Sequence, residues 1–593
     1  MILQALADYY RRKQADPDPA GRLPAYGFEE KEIPFILEID GEGRLVQILD
    51  TRSGEGKKKT AQRFLVPKAV KKTSGVAANL LWDTAEYVLG IDTRGKPERV
   101  AAQHAAFRAR IDALPAEAQA DAGIVAVRAF LDGIDIDALA TSPVWEEIKV
   151  TNPLLSLRRH GDVELVCQRP AVTVLAGDEP EDEATVICLV SGEQAAPERL
   201  HAAIKGVWGA QSSGANIVSF NLDAFNSYGK SQGANAPVGK AAAFAYTTAL
   251  NHLLAKGSSQ RIQVGDTSTV FWAEVPHELE TALPDLFGEP PKDDPDRGTD
   301  ALRALYRAVE TGRFAVGSDD TRFYVLGLAP NAARIAVRFW DTAPAIELAR
   351  RIRRHFDDIA VARSPRDPEH LSLFRLLTAT AVQGKADNIP PNLGGEVMRA
   401  ILEGLPYPAT LLNAAVQRCR AEQQVSYPRA AAIKGWLNRD HRRRHSDLPL
   451  DHSEFKENLD MDQTDVPYRL GRMFAVLERI QEEAAKPRKL NSTIRDRYFG
   501  AASTAPVAVF MTLLRLKVSH AKQLAPEYAG YFERLLGEIC GTVAEPKVSD
   551  FPRQLSLPDQ GRFALGYYHQ RQSFFTKRAA ESTESEATQG EPA

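Results

Sequence analysis

Short apolar runs with strand-like composition recur through the first 340 residues of the chain. Two of them, IPFILEID at 33–40 and GRLVQILD at 43–50, follow each other closely, and Gly41 and Gly43 lie at their junction. Because glycine tolerates the backbone conformations of tight turns, this arrangement predicts a β-hairpin. Further strands are predicted at VELVCQ (163–168), AVTVLA (171–176), ATVICLV (184–190), VFWAEV (270–275), RFYVLGLA (322–329) and RIAVRFW (334–340).

Beyond about residue 340 the apolar positions follow helical spacing instead. The clearest stripe, spaced i, i+3, i+4, i+7, consists of Leu470, Met473, Phe474, Leu477, Ile480 and Ala484. A shorter helix is predicted from Asn79 to Leu89, with Gly90 placed to end it. The segment 577–593 is rich in Glu, Ser and Thr and predicts a disordered tail.

These patterns together predict an α+β fold. Residues 1–340 are expected to form a mixed α/β N-terminal body, and residues 341–576 a helical-bundle C-terminal region. The 593 residues, of which 44% are hydrophobic and 26% charged, are ordinary for a globular protein of several domains. Four cysteines, the absence of a signal-peptide pattern and the absence of a long apolar run predict a cytoplasmic protein with no membrane association.

The net charge of −4 does not by itself indicate a polyanionic partner, but the charge is unevenly distributed. Residues 51–72 hold eight Lys or Arg and one acid, Glu55. Such a basic track could contact nucleic-acid phosphates, or it could be a solvated loop. Its candidate DNA-backbone residues are Lys57, Lys58, Lys59, Lys71 and Lys72.

The segment SFNLDAFNSYGKSQGAN at 219–235 is unusually rich in glycine and amides. Glycine lets a backbone approach a ligand closely, amide side chains can bind base edges, tyrosine can stack and lysine can pair with a phosphate. The alternative is an ordinary turn that uses Asn and Gly for their backbone tolerance. The candidate contact residues are Asn226, Ser227, Tyr228, Lys230, Gln232 and Asn235.

Three cations in the C-terminal region, Arg472, Arg479 and Lys486, recur every seven residues. This spacing predicts one helix face that points away from the apolar stripe. Such a face could hold a displaced DNA strand, or it could be a solvated surface.

No sequence pattern indicates catalysis. The chain contains no HExxH, no phosphate-binding GxxxxGK[ST] loop and no GxSxG nucleophile elbow, and its cysteines have no metal-binding spacing. The scattered carboxylates are typical of surface charges and helix caps. We therefore predict a protein that is not an enzyme and needs no metal or cofactor.

Long segments of the chain resemble the large-subunit family of the type I-C (Dvulg-type) CRISPR Cascade complex. They are TSGVAANLLWDTAEYVLG (73–90), ANIVSFNLDAFNSYGKSQGANAPVGKAAAFAYTTALNHLL (215–254), FYVLGLAPNAARIAVRFW (323–340), YPRAAAIKGWLNR (427–439), YRLGRMFAVLERIQEEA (468–484), STIRDRYFGAASTAP (492–506) and FALGYYHQR (563–571). The resemblance implies an antiviral, RNA-guided complex whose large subunit recognises the protospacer-adjacent motif (PAM) in double-stranded DNA and opens the duplex. Its implied partners are the CRISPR RNA with the backbone, guide-processing and small subunits, and a separate helicase-nuclease that docks on it.

Alternatives to this function are a nuclease of the same defence system and a structural scaffold without DNA contacts. Within the leading hypothesis, Gln232 beside Gly233 is the expected wedge, because it is long enough to enter a base stack without burying a charge. Lys71 and Lys72 are expected at phosphates close to the PAM, and Asn79, at the predicted helix start, near a base edge.

The resemblance also implies that a small-subunit-like bundle, starting near residue 461, is made separately by internal translation. Met461 is the preferred start because it keeps the whole apolar stripe. A start at Met473 would remove Leu470 and Arg472.

Overall fold

The computed structural model describes residues 2–18, 21–54, 59–70, 75–92, 95–175, 185–332, 334–445, 447–487, 490–541 and 551–588, with side chains described as far as residue 575. The chain forms two compact units. The first contains residues 3–202 and 218–249, and the second contains residues 203–217 and those from 250 onward. None of the described helices is long and apolar enough to cross a membrane.

Strands are concentrated in the first 344 residues and helices occur throughout. The strands are β1 (Phe28–Glu32), β2 (Phe35–Ile39), β3 (Leu45–Asp50), β4 (Arg63–Pro67), β5 (Trp82–Thr84), β6 (Leu154–Arg159), β7 (Val186–Ile187), β8 (Gln194–Ala195), β9 (Arg261–Val264), β10 (Thr267–Ala273), β11 (Arg322–Asn331) and β12 (Arg334–Pro344). The helices up to residue 311 are α1 (Ile2–Gln14), α2 (Ala85–Leu89), α3 (Pro97–Asp112), α4 (Ala116–Gln119), α5 (Ala122–Asp132), α6 (Ile136–Ala140), α7 (Trp145–Thr151), α8 (Pro170–Thr173), α9 (Lys240–Leu253), α10 (Leu279–Phe287) and α11 (Arg297–Thr311).

The remaining helices form the C-terminal region. They are α12 (Ala345–Ile359), α13 (Leu373–Thr380), α14 (Leu393–Leu402), α15 (Ala409–Ala421), α16 (Tyr427–Arg444), α17 (Val466–Ala484), α18 (Ile494–Ala502), α19 (Pro506–Ala521), α20 (Pro526–Cys540) and α21 (Leu557–Thr588). The predicted α+β fold with a helical C-terminal region is confirmed.

The first unit is organised by a four-stranded sheet with the order β3-β2-β6-β5. The predicted hairpin is confirmed, because β2 pairs antiparallel with β3. Strand β6 pairs parallel with β2, and this places β2 inside the sheet. All five residues of β2 are buried, as expected of a strand covered on both faces.

Two local predictions in the first unit are wrong. Of the three strands predicted between residues 163 and 190, the described residues form only the two-residue strand β7, whereas Val166–Gln168 is a 3-10 helix and Pro170 begins α8. Proline suits a first helical turn because that turn does not need its missing N–H. The helix predicted from Asn79 is reduced to α2, because Trp82–Thr84 pairs with β6 instead; Gly90 does end the helix, in the left-handed conformation at φ 68°.

The second unit contains an antiparallel sheet with the order β12-β11-β10-β9 followed by the C-terminal helices. The predicted stripe of α17 is buried against its neighbours, except for the half-buried Ala484. Gly471 of α17 and Gly566 of α21 let these two helices approach closely. A Cβ at Gly471 would lie 1.9 Å from the carbonyl oxygen of Phe563, so only glycine fits there.

The final helix, α21, continues past residue 577, where the sequence predicts a disordered tail. The boundaries predicted at residues 340 and 461 remain predictions.

Candidate nucleic-acid interface

The glycine- and amide-rich segment forms a tight hairpin whose tip is Tyr228. Ser227 and Lys230 bridge the hairpin, and the Lys230 N–H donates to the Ser227 carbonyl at 2.9 Å. The two residues between them, Tyr228 and Gly229, have positive φ angles of 53° and 71°. This pattern is that of a type I′ turn. The Tyr228 side chain is 99% exposed, so an aromatic ring projects from the tip.

Asn235 holds the hairpin in shape. Its side-chain oxygen accepts from the Ser227 N–H at 3.0 Å, and its amide nitrogen donates to the carbonyls of Lys230 and Gln232 at 3.2 and 3.0 Å. Asn235 thus supplies backbone partners within the loop, which is the structural role that Asn often has in turns.

Gln232 is half-buried and anchored to the preceding segment. Its side-chain oxygen accepts a hydrogen bond from the Arg199 guanidinium. The adjacent Gly233 donates its N–H to the Arg199 carbonyl, and a Cβ at Gly233 would lie 2.4 Å from the Glu198 carbonyl oxygen. The sequence predicts Gln232 as the wedge, but close backbone packing at Gly233 holds Gln232 against Arg199, and Tyr228 is the residue that projects.

The other predicted residues of this loop lie at the surface. Asn226, Ser227 and Lys230 are exposed, and Lys230 is two residues from the tip. The loop therefore presents an aromatic ring, an ammonium group and amide and hydroxyl groups on one short hairpin. This set of groups can stack on a base and pair with a phosphate.

The basic track is only partly described. Lys57, Lys58, Lys71 and Lys72 lie outside the described residues, and Lys59 is exposed. The remaining charges of the track have local partners: the Arg63 guanidinium lies 3.5 Å from Glu32 of β1, and the Lys68 ammonium lies 5.6 Å from the centre of the Phe244 ring.

Asn79 does not project from a helix start. It is 4% exposed, its side-chain oxygen accepts from the Val70 N–H at 2.9 Å, and its own N–H donates to Asp83 at 2.9 Å. The predicted position at a helix start is therefore wrong, because β5 occupies part of the segment that was predicted to be helical. Asn79 thereby holds the backbone at Val70, inside the basic track.

The predicted outward row of cations on α17 is also wrong at one position. Arg472 is 1% exposed, and its Nε donates to the side chain of Gln570 on α21 at 3.1 Å. The cause is the close approach of α21, which covers this face of α17. Arg479 pairs with Glu482 and Glu483, and the half-exposed Lys486 lies 2.5 Å from Glu483.

Sequence reasoning missed Arg199, which anchors Gln232, and Phe244, which lies beside Lys68. No sequence signal could have identified them, since each is more than 30 residues from its partner and neither belongs to a motif. Within the described ranges, no three His, Cys, Asp or Glu side chains are grouped in a way that could hold a metal ion.

A family model described as "CRISPR-associated protein (Cas_Csd1)" matches residues 6–575. The match covers nearly the whole chain and includes the hairpin and α17. No curated protein matches the chain.

Proposed function

Because the chain belongs to the Cas_Csd1 family of CRISPR-associated proteins, we propose that it is the large subunit of a type I-C Cascade and recognises the PAM in double-stranded DNA. Family membership makes it a CRISPR-associated Cascade subunit with a role in antiviral defence. The proposal adds three steps, which are PAM recognition, opening of the adjacent duplex for guide pairing, and docking of the helicase-nuclease. Its proposed partners are the backbone, guide-processing and small subunits and the CRISPR RNA they carry.

The hairpin tip supports the DNA-opening role most directly. The Tyr228 ring is exposed, and a ring held at a tight turn can enter or cap a base stack. Lys230 is close enough in the chain to neutralise a neighbouring phosphate. We assign the insertion to Tyr228 and give Gln232 and Asn235 the roles of holding the loop, with Asn226 and Ser227 as polar contacts.

The basic residues provide the sequence-independent part of binding in this proposal. Lys57, Lys58, Lys59, Lys71 and Lys72 would contact phosphates of the duplex, and Arg479 and Lys486 would contact the displaced strand. Such contacts release counterions, so replacing them reduces the salt dependence of binding at every DNA sequence. Arg472 has no part in this surface because it is buried.

The test uses the assembled complex and a DNA target with a correct flanking motif. The double variant Tyr228→Ala and Lys230→Ala should weaken target binding at least about tenfold, because the stacking and phosphate contacts together are expected to contribute at least about 1.4 kcal/mol. A matched pair elsewhere on the surface, Tyr528→Ala and Lys292→Ala, should bind as the wild type does.

A target whose duplex is already unpaired beside the motif separates opening from general affinity. The Tyr228→Ala variant should bind this bubble target with nearly wild-type affinity, since no base step remains to be separated. Unchanged binding of the intact target by the double variant would refute the assignment. DNA cleavage by the purified chain with Mg²⁺ and without partners would instead favour a nuclease.

A further inference from the structure

A buried carboxylate in the second unit accepts hydrogen bonds from two arginines. Asp358 of α12 accepts from the Arg439 Nε at 2.8 Å, and both of its oxygens accept from the Arg442 Nη2, at 2.6 and 2.7 Å. The Arg439 Nη1 donates further to the carbonyls of Ala400 and Leu405. One negative charge is thus shared by two guanidinium groups.

A third guanidinium, that of Arg354, lies within electrostatic range of both arginines and of Asp358. Arg354 lies one helical turn before Asp358 on α12, so the two share a helix face. Within the described part of the chain it has neither a hydrogen bond nor an ion pair of its own. Burial and the charges of Arg442 and Arg439 lower the pKa of Arg354. The other acid that acts on it, Glu347, is paired with Arg351 at 3.1 Å.

A further observation shows a donor without an acceptor at this place. The Arg439 side chain is 4% exposed, and its Nη2 is buried without a hydrogen-bond partner among the described residues.

Partly buried like charges repel one another, and a buried donor without an acceptor destabilises the fold. An anion with several oxygens would accept from the free N–H groups and offset the excess of positive charge. Guanidinium groups bind phosphate oxygens especially well, because their planar N–H donors match the spacing of two oxygens.

We propose that Arg354 and Arg442, with Arg439 behind them, form a binding site for a phosphate group. Two sources share this chemistry, a backbone phosphate of a nucleic acid and a free phosphate. The site belongs entirely to the second unit and is independent of the hairpin and of the proposed PAM recognition, so it can be tested on the isolated full-length chain.

The first measurement is thermal unfolding of the full-length chain in rising inorganic phosphate, with chloride at equal ionic strength as the reference. A ligand that binds only the folded state raises the unfolding temperature. Arg354→Gln should need about tenfold more phosphate for the same rise, because it removes charge-assisted hydrogen bonds. Arg366→Gln removes an equal charge from an exposed arginine of the loop after α12 and should respond as the wild type does.

Arg354→Lys keeps the positive charge but loses the planar pair of N–H donors. Its phosphate response should therefore lie between those of the wild type and Arg354→Gln. If Arg354→Gln does not fold, the phosphate response of Arg354→Lys decides the test. Equal phosphate responses of the Arg354 variants and of Arg366→Gln would exclude free phosphate as the ligand.

Binding of a single-stranded DNA oligonucleotide to the same variants identifies the source of the phosphate group. A loss of oligonucleotide affinity in Arg354→Gln, but not in Arg366→Gln, assigns the site to a nucleic-acid backbone. Unchanged oligonucleotide affinity together with a lost phosphate response assigns it to free phosphate. If neither ligand distinguishes the Arg354 variants from Arg366→Gln, the proposal is wrong.

Discussion

Asn235 shows how one side chain determines the shape of the hairpin. Because it makes three hydrogen bonds to the loop backbone, Asn235→Ala should leave the Ser227 amide without an acceptor. An exposed hydrogen bond of this kind contributes about 0.5–1.5 kcal/mol, so hydrogen exchange at Ser227 should accelerate about two- to tenfold. Asn226→Ala, at an exposed neighbour, is the control and should leave this exchange rate unchanged.

His569 makes the stability of the C-terminal helices depend on pH. Burial, with the nearby charges of Lys434 and Arg472, lowers the pKa of His569 to about 3, and its Nδ1 lies 2.8 Å from the Tyr468 hydroxyl. In the unfolded chain a histidine has a pKa near 6.5, so below that pH only the unfolded state takes up this proton. The stabilisation is therefore complete above pH 6.5 and decreases as the pH falls towards 3.

For one such group the loss of unfolding free energy between pH 7.5 and pH 5 is about 2 kcal/mol. His569→Gln should remove this contribution, and denaturant unfolding of both proteins at the two pH values measures it. An identical pH dependence in wild type and variant would show that His569 does not titrate in this way.

At the level of the element, the contact of α17 with α21 depends on two glycines. Gly471→Ala would place a Cβ against the backbone of α21, which cannot move as a side chain could. We expect a loss of about 3 kcal/mol or more of unfolding free energy, measured by denaturant titration.

Gly537→Ala on α20 is the matched control, since a Cβ there meets nothing within 4 Å. It should stabilise the protein by up to about 1 kcal/mol, because alanine favours a helix interior. If both variants changed the unfolding free energy by the same amount, α17 and α21 would not pack through Gly471.

At the scale of the whole molecule, the position of Met461 is compatible with the predicted, separately made C-terminal bundle. Met461 lies between α16 and α17, so translation from it would leave α17–α21 complete. A start at Met473 would remove Tyr468 and Gly471, both of which pack against α21. Expression of the gene alone should therefore yield a fragment that begins at Met461, detectable by mass spectrometry.

Met461→Leu should abolish that fragment, whereas Met473→Leu should not. The absence of any fragment near this mass, or its persistence in Met461→Leu, would count against internal translation at this position.

Much of the architecture was predictable from local patterns alone. The period of the apolar residues determines which face of a strand or helix is buried, and this is why the β2–β3 hairpin, the strands β10–β12 and the stripe of α17 were identified correctly. The family resemblance has a different basis, since it rests on long sequence segments that occur in the family's order.

The exposure of individual polar residues was decided only by the tertiary structure. Arg472 has the sequence spacing of a surface residue, yet α21 covers it. Gln232 lies in a loop with the composition of an exposed segment, yet its side chain accepts a hydrogen bond from Arg199. Likewise, Trp82–Thr84 is a strand because β6 provides a partner. The physical reason is that a residue's neighbours in sequence set its conformational preference, whereas its accessibility depends on contacts from segments far away in the chain. The sequence thus determined the fold class and the family, and the tertiary structure decided that Tyr228 projects from the hairpin.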